Sequence, residues 1–187
     1  MDVDVVVLAG GRSTRFGTDK VELLLDAVLA GVLAGVLAGV LADMGVDAPE
    51  VASIVCVGPE RETVATGIRW VREDPPYSGP LAAVAAGVAA GDASIVVLLG
   101  ADMPQVGAAV AGLVGAVGAG NGAVLVDADG WPQVLASAWR RTVLTERLTG
   151  FGPLEGRPLR LLLDGASLVP VPDVWGAARD IDNPGDL

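Results

Sequence analysis

A chain of 187 residues fits one domain, residues 1–187, because a single core is usually built from ~100 to 200 residues. Apolar residues make up 52% of it but include only four Trp, two Phe and one Tyr, so the core must be assembled from Val, Leu and Ala, as in helices packed closely on a parallel sheet. The net charge of −11 argues against a nucleic acid or an anionic membrane as partner, and the absence of histidine excludes His acid–base chemistry, Ser-His-Asp triads and His-ligated metals.

The chain starts with Met1-Asp2-Val3-Asp4, two acids where a secretory signal carries basic residues, so a cytoplasmic protein is expected. Residues 3–8 form a β-branched run that ends at Ala9-Gly10-Gly11, the pattern of a buried central strand followed by a turn. A long helix is expected over 23–44. Its uncharged part, 27–42, is too short for the ~20 residues that span a bilayer, and Asp26 and Asp43 bracket it without a flanking Lys or Arg, so it reads as a buried helix. Within it, a Val-Leu-Ala-Gly repeat sets Gly31, Gly35 and Gly39 four residues apart as a small-residue stripe. Such a stripe suits close packing on the sheet; the alternative is a self-association face, and with it a homodimer.

Strands are expected over 54–57, 68–71 and 95–99, each followed by Gly, Pro or Asp, and helices over 81–90 and 108–117. The lone Cys56, in the apolar run 53–57, has no partner for an internal disulfide, which agrees with a reducing compartment. Further on, 123–126 and 134–139 flank Asp127-Ala128-Asp129-Gly130-Trp131-Pro132, a turn that reads as a hairpin or a pair of sheet-edge strands. Short helices over 140–148 and 159–163 and a last strand over 167–171 complete the chain. Alternating strands and helices predict an α/β fold: a mostly parallel, mixed sheet in a Rossmann-like three-layer α/β/α arrangement, with ligands beyond the carboxyl ends of the strands.

The segment Leu8-Ala9-Gly10-Gly11-Arg12-Ser13-Thr14-Arg15-Phe16-Gly17-Thr18-Asp19-Lys20 carries the most chemistry. Its glycines permit backbone conformations that turn N–H groups inward, and such nests bind phosphate. Arg12, Arg15 and Lys20 add three cations to a very acidic protein. Lys20 is the only lysine, against eleven arginines, so a compact ammonium stands at the one place where a point-charge phosphate ligand would be required. The segment matches neither the Walker pattern, which needs Gly-Lys-Ser/Thr adjacent, nor G-x-G-x-x-G. A polar surface loop is the alternative.

This segment resembles the signature loop of the molybdenum cofactor guanylyltransferases and related sugar-phosphate and cofactor nucleotidyltransferases. Three further segments are similar to family motifs in order and spacing: Glu73-Asp74-Pro75-Pro76-Tyr77-Ser78-Gly79-Pro80-Leu81-Ala82, Gly100-Ala101-Asp102-Met103-Pro104, and Asp180-Ile181-Asp182-Asn183-Pro184-Gly185-Asp186-Leu187. The resemblance implies a nucleotide-diphospho-sugar transferase type of fold. It also implies a nucleotide site at Leu8, Ala9, Gly10, Gly11, Arg12, Lys20, Asp74 and Asp102, and a Mg²⁺ held by Asp102 and Asp182. A Gly-x-Pro turn, usual in the family soon after the lysine, is absent between residues 21 and 41.

Independently of the family, Asp102 follows a strand at its carboxyl end, and Mg²⁺ takes oxygen ligands from one or two carboxylates plus phosphate and water. The alternative for Asp102 is a helix N-cap before Pro104, for Asp74 a solvated loop acid, and for Asp182 a cap at the chain's end. The reaction that the resemblance implies is attack by a terminal phosphate of molybdopterin on the α-phosphorus of GTP, with pyrophosphate released. Arg15 and Lys20 would offset developing negative charge. Two alternatives stand beside it: a cytidylyl-, uridylyl- or other guanylyltransferase of the same fold with another phosphorylated acceptor, and a catalytically silent nucleotide-binding domain.

Overall fold

The structure, a computed structural model, describes residues 1–10, 20–41, 50–174, 176–179 and 181. Among the described residues seven strands form one sheet: β1 (Asp2–Leu8), β2 (Glu50–Val57), β3 (Ile68–Val71), β4 (Ile95–Gly100), β5 (Gly122–Val126), β6 (Pro132–Arg140) and β7 (Val169–Pro172). Their order is β3-β2-β1-β4-β6-β5-β7, and β6 alone runs against the other six. Among the described residues the helices are α1 (Lys20–Leu41), α2 (Pro80–Ala89), α3 (Val110–Val117) and α4 (Arg141–Gly150), with 3-10 turns at Val106–Ala109 and Leu159–Leu162.

The unbroken apolar runs exist because both faces of the sheet are covered. Val3, Val5 and Val7 of β1 pack with Leu25, Val28, Leu29 and Val32 of α1 and with Val110, Leu113 and Val114 of α3. Val6, one residue out of phase, joins Leu81, Val84 and Val88 of α2 and Leu144 and Leu148 of α4 on the other face. Alternate residues of one strand thus face two helical layers, and the expected α/β/α arrangement is observed. Burying one such Val or Leu stabilises by about 1.5–3 kcal/mol. Close approach is set by glycine: a Cβ on Gly87 of α2 would lie 2.4 Å from Val6 Cγ1 and 2.9 Å from Val57 Cγ2.

Several elements differ from expectation. In the glycine stripe of α1, Gly31 packs against Gly107 of the 3-10 turn, where an added Cβ would come within 2.3 Å of the Gly31 carbonyl carbon. The contact is therefore helix to helix within the chain; what Gly35 and Gly39 pack against lies outside the described residues. The hairpin β5–β6 forms, but not at an edge, because β6 inserts between β4 and β5. The edge on this side is β7, whose Pro170 and Pro172 can be tolerated only where one side of the ladder is unpaired, and β3 is the edge on the other. Arg140 ends β6, and α4 begins one residue later. The hairpin turn is built by Asp127, whose Oδ1 accepts the N–H groups of Trp131 (2.9 Å) and Asp129 (3.0 Å) and whose Oδ2 accepts Gln133 Nε2 (2.7 Å). These bonds, that from Trp131 foremost, hold its carboxyl below the ordinary range.

At the amino end of the sheet lies a buried ion pair that sequence reading had treated only as an N-terminal acid. Asp4 is 1% exposed. A bulge after Val3 sets it opposite Ser53, whose hydroxyl donates to Oδ1, while Oδ2 accepts Ala93 N–H at 2.9 Å and Arg141 Nη2 at 2.5 Å. Arg141 also donates to the carbonyls of Ala93 (2.5 Å) and Val88 (2.6 Å), so one side chain ties α4 to β1 and to the end of α2. Among the described residues no helix is long and apolar enough to cross a membrane.

Candidate functional site

The opposite end of the sheet carries the candidate site, and backbone bonds draw its strand ends together. Ala9 N–H donates to Val57 O at 2.9 Å, Ala101 N–H to Leu8 O at 3.1 Å, and Gly58 N–H to Val71 O at 2.9 Å, so the ends of β3, β2, β1 and β4 are laced in sequence. Gly58 has φ +148°, and a Cβ there would lie 2.8 Å from Ala9 O and 2.9 Å from Gly10 N. Only glycine lets the loop after β2 come this near the start of the glycine-rich segment.

Arg61 holds the same place from its side chain. Its Nη1 donates to Ala9 O at 2.6 Å and to Pro59 O at 3.1 Å, putting a guanidinium beside the first residues of the glycine-rich segment. Sequence reading missed Arg61; its position in the loop after a parallel strand was the available signal. Beneath it Cys56 is fully buried, and burial pushes its thiol up to about 12, against the opposing charge of Arg61. That thiol is structural and unreactive.

The loop after β3 forms one wall. Glu73 Oε1 accepts Tyr77 N–H at 2.9 Å, Ser78 Oγ donates to Pro75 O at 2.5 Å, and the Asp74–Pro75 peptide is cis. Tyr77 takes φ +68°, a left-handed conformation uncommon outside glycine, and the Arg72 guanidinium stacks 4.6 Å above its ring. Gly79, at φ +102°, turns the chain into α2, with Pro80 as its first residue. Together these elements enclose a cleft of about 450 Å³ whose described lining is Leu8, Gly10, Glu73, Tyr77, Gly79, Pro80 and Ala83. Glu73 lines this cleft and borders the groove beside it. Asp74, exposed, lines a neighbouring groove of about 560 Å³ with Pro153, Leu154 and Glu155.

Asp102 stands two residues past Gly100, the register partner of Leu8 on β4. It is half-buried, and the 3-10 turn that follows starts at Val106 with Gln105 at its N-cap. The Ile181 N–H donates to Asp102 O at 3.0 Å, so the last described residue returns to the end of β4. Lys20 is the first residue of α1, and its side chain lies outside the described residues, as do Gly11, Arg12, Arg15 and Asp182. Of the expected site residues, Leu8, Ala9, Gly10 and Asp102 meet at one end of the sheet. Among the described residues no group of three or more Asp, Glu or Cys side chains is arranged to hold a metal.

A crevice beyond the carboxyl ends of parallel strands, opened by glycines and flanked by a helix N-terminus, is the architecture of a nucleotide-binding α/β domain. The family model of the MobA-like NTP transferase domain matches residues 5–164, and the chain belongs to that family. Membership implies a nucleoside triphosphate as substrate and a nucleotidyltransferase as the class of enzyme. A protein of Mycobacterium tuberculosis H37Rv superposes with a TM-score of 0.68 at 22% identity, covering 100% of this chain and 96% of that one. Molybdopterin-guanine dinucleotide biosynthesis protein A from Archaeoglobus fulgidus gives 0.62 at 20% identity, over 98% and 94% of the two chains. The 2-C-methyl-D-erythritol 4-phosphate cytidylyltransferase of Thermus thermophilus gives 0.66 at 18% identity, over 100% and 95%. No match was found among curated proteins. At these identities the likenesses establish the shared fold.

Proposed function

We propose that the chain is a cytoplasmic guanylyltransferase that moves GMP from GTP to the terminal phosphate of molybdopterin. An oxygen of the acceptor phosphate attacks the α-phosphorus of GTP. The bond from that phosphorus to the oxygen bridging to the β-phosphate breaks, and pyrophosphate leaves with the bonding electrons. The acceptor phosphate is already a competent nucleophile at neutral pH, which suits a protein without histidine. The observation that carries the reading is the lacing of Leu8, Ala9 and Ala101 at the ends of neighbouring strands, which sets the start of the glycine-rich segment beside the Asp102 loop.

In this reading Leu8, Ala9, Gly10, Gly11 and Arg12 cradle the nucleotide, Asp74 adds a contact to it, and Arg15 and Lys20 offset charge as the phosphorus is attacked. The residues suit a hard cation: Asp102 offers a half-buried carboxylate, and the Ile181 contact is one residue short of Asp182. Mg²⁺ held by Asp102 and Asp182 would neutralise charge on phosphate oxygens. The test is pyrophosphate release with Mg²⁺, molybdopterin and each of GTP, CTP, UTP and ATP. Turnover with GTP supports the proposal, turnover only with another nucleotide or a sugar phosphate moves it to a sister transferase, and binding without turnover makes the domain silent.

A further inference from the structure

We propose that Glu73 selects the base, taking guanine through its N1–H and 2-amino edge; the inference rests on the nucleotidyltransferase reading and names the base that its cleft accepts. Among the described residues lining the cleft, Glu73 supplies the only charged side chain, between the apolar surfaces of Leu8, Pro80 and Ala83. The carboxylate is held in place: Oε1 accepts Tyr77 N–H at 2.9 Å, and Tyr77 is in turn covered by the Arg72 guanidinium. A left-handed backbone at a tyrosine is strained and persists only where the surroundings over-determine it. The bond to Glu73 is one of the constraints that hold this turn.

A carboxylate only accepts hydrogen bonds, and it has two oxygens to offer. Guanine alone among the four bases presents two adjacent N–H donors on one edge. Adenine and cytosine set a ring-nitrogen acceptor beside their amino group, which a carboxylate repels. Uracil has a single N–H between two carbonyls, with the same consequence. Oxygen atoms bonded to a backbone N–H keep a second lone pair, so the tie to Tyr77 leaves both oxygens able to accept from the base.

The experiment measures affinity and steady-state kinetics for GTP, ITP, ATP, CTP and UTP with the full chain and with Glu73→Gln, which keeps a carbonyl oxygen for Tyr77 N–H. Inosine lacks the 2-amino group and is otherwise guanosine. The intact chain is expected to bind GTP about tenfold or more tightly than ITP, the usual size of a bidentate contact's discrimination. In Glu73→Gln the GTP-over-ITP ratio should fall towards one, with the thermal midpoint retained. Equal binding of GTP and ITP by the intact chain, a preference for another base, or a ratio unchanged by Glu73→Gln overturns the assignment and leaves the transferase reading standing. A chain that binds no nucleotide and releases no pyrophosphate overturns both.

Discussion

Replacing Asp4 by Ala would remove the carboxylate from a buried network at the amino end of the sheet. Three donors lose their acceptor at once: the Ser53 hydroxyl, Ala93 N–H and Arg141 Nη2. Breaking a fully buried ion pair by deleting one partner costs about 3–5 kcal/mol. Here the Arg141 side chain is 18% exposed and keeps the carbonyls of Ala93 and Val88, so part of its charge remains solvated. The expected loss is therefore somewhat smaller, about 2–4 kcal/mol, which in a domain of this size lowers Tm by roughly 4–16 °C. Urea and thermal unfolding of Asp4→Ala, Arg141→Ala and the double variant should give non-additive losses, with a coupling of at least about 1 kcal/mol. Nucleotide affinity should be unchanged, because Leu8 and the cleft lie four residues along the strand, about 13 Å away. A loss under about 1 kcal/mol, or single losses that simply add, would refute the view that this pair anchors α4 to the sheet.

Lys20→Ala should lower turnover by at least about tenfold, roughly 1.4 kcal/mol of transition-state free energy, with Tm retained; unchanged kcat/KM would remove Lys20 from the phosphate site. Asp102→Asn should weaken Mg²⁺-dependent turnover more than nucleotide binding measured with chelator, and a magnesium titration unaffected by the change would make Asp102 structural. Cys56, with its thiol raised to about 12, stays protonated in the folded chain above pH 9, whereas the unfolded chain loses that proton. The sign is therefore a fall in stability as pH rises from about 9 towards 12, by about 1.4 kcal/mol per unit from this group; urea midpoints against pH should fall less steeply in Cys56→Ala, and parallel curves would refute the linkage.

The strands β1 and β4 were legible because burial on both faces favours apolar residues, and the chain writes this as the runs Val5-Val6-Val7-Leu8 and Ile95-Val96-Val97-Leu98-Leu99. The position of β6 was not. A hairpin signal reports that two strands pair with each other and carries nothing about which one meets the rest of the sheet. Asp4 escaped notice for a related reason: its burial depends on Ser53, Ala93 and Arg141, contributed by three distant parts of the chain. Glu73 and Asp74 show the limit at the site itself. Both line the groove beside Pro153 and Leu154, but of the two only Glu73 also lines the cleft, and that depends on the turn ending at Tyr77, which no pattern of residue types encodes.

The two ends of the sheet divide stability from chemistry. At the amino end, side chains tie the layers together, and a substitution such as that of Asp4 is felt by the whole domain. At the carboxyl end the ties between β1, β2, β3 and β4 run from backbone to backbone, Ala9 to Val57, Ala101 to Leu8 and Gly58 to Val71. Such ties make few demands on side chains beyond the glycine at residue 58, where a Cβ would strike Ala9 and Gly10, and Arg61, whose guanidinium donates to Ala9 O. The loops that leave these strand ends can therefore change residue types while the crevice keeps its shape. A shared fold with a TM-score of 0.66 at 18% identity agrees with ties of this kind. It follows that the nucleotide chosen should depend on few positions, and that changing Glu73 should alter base preference at little cost to the fold.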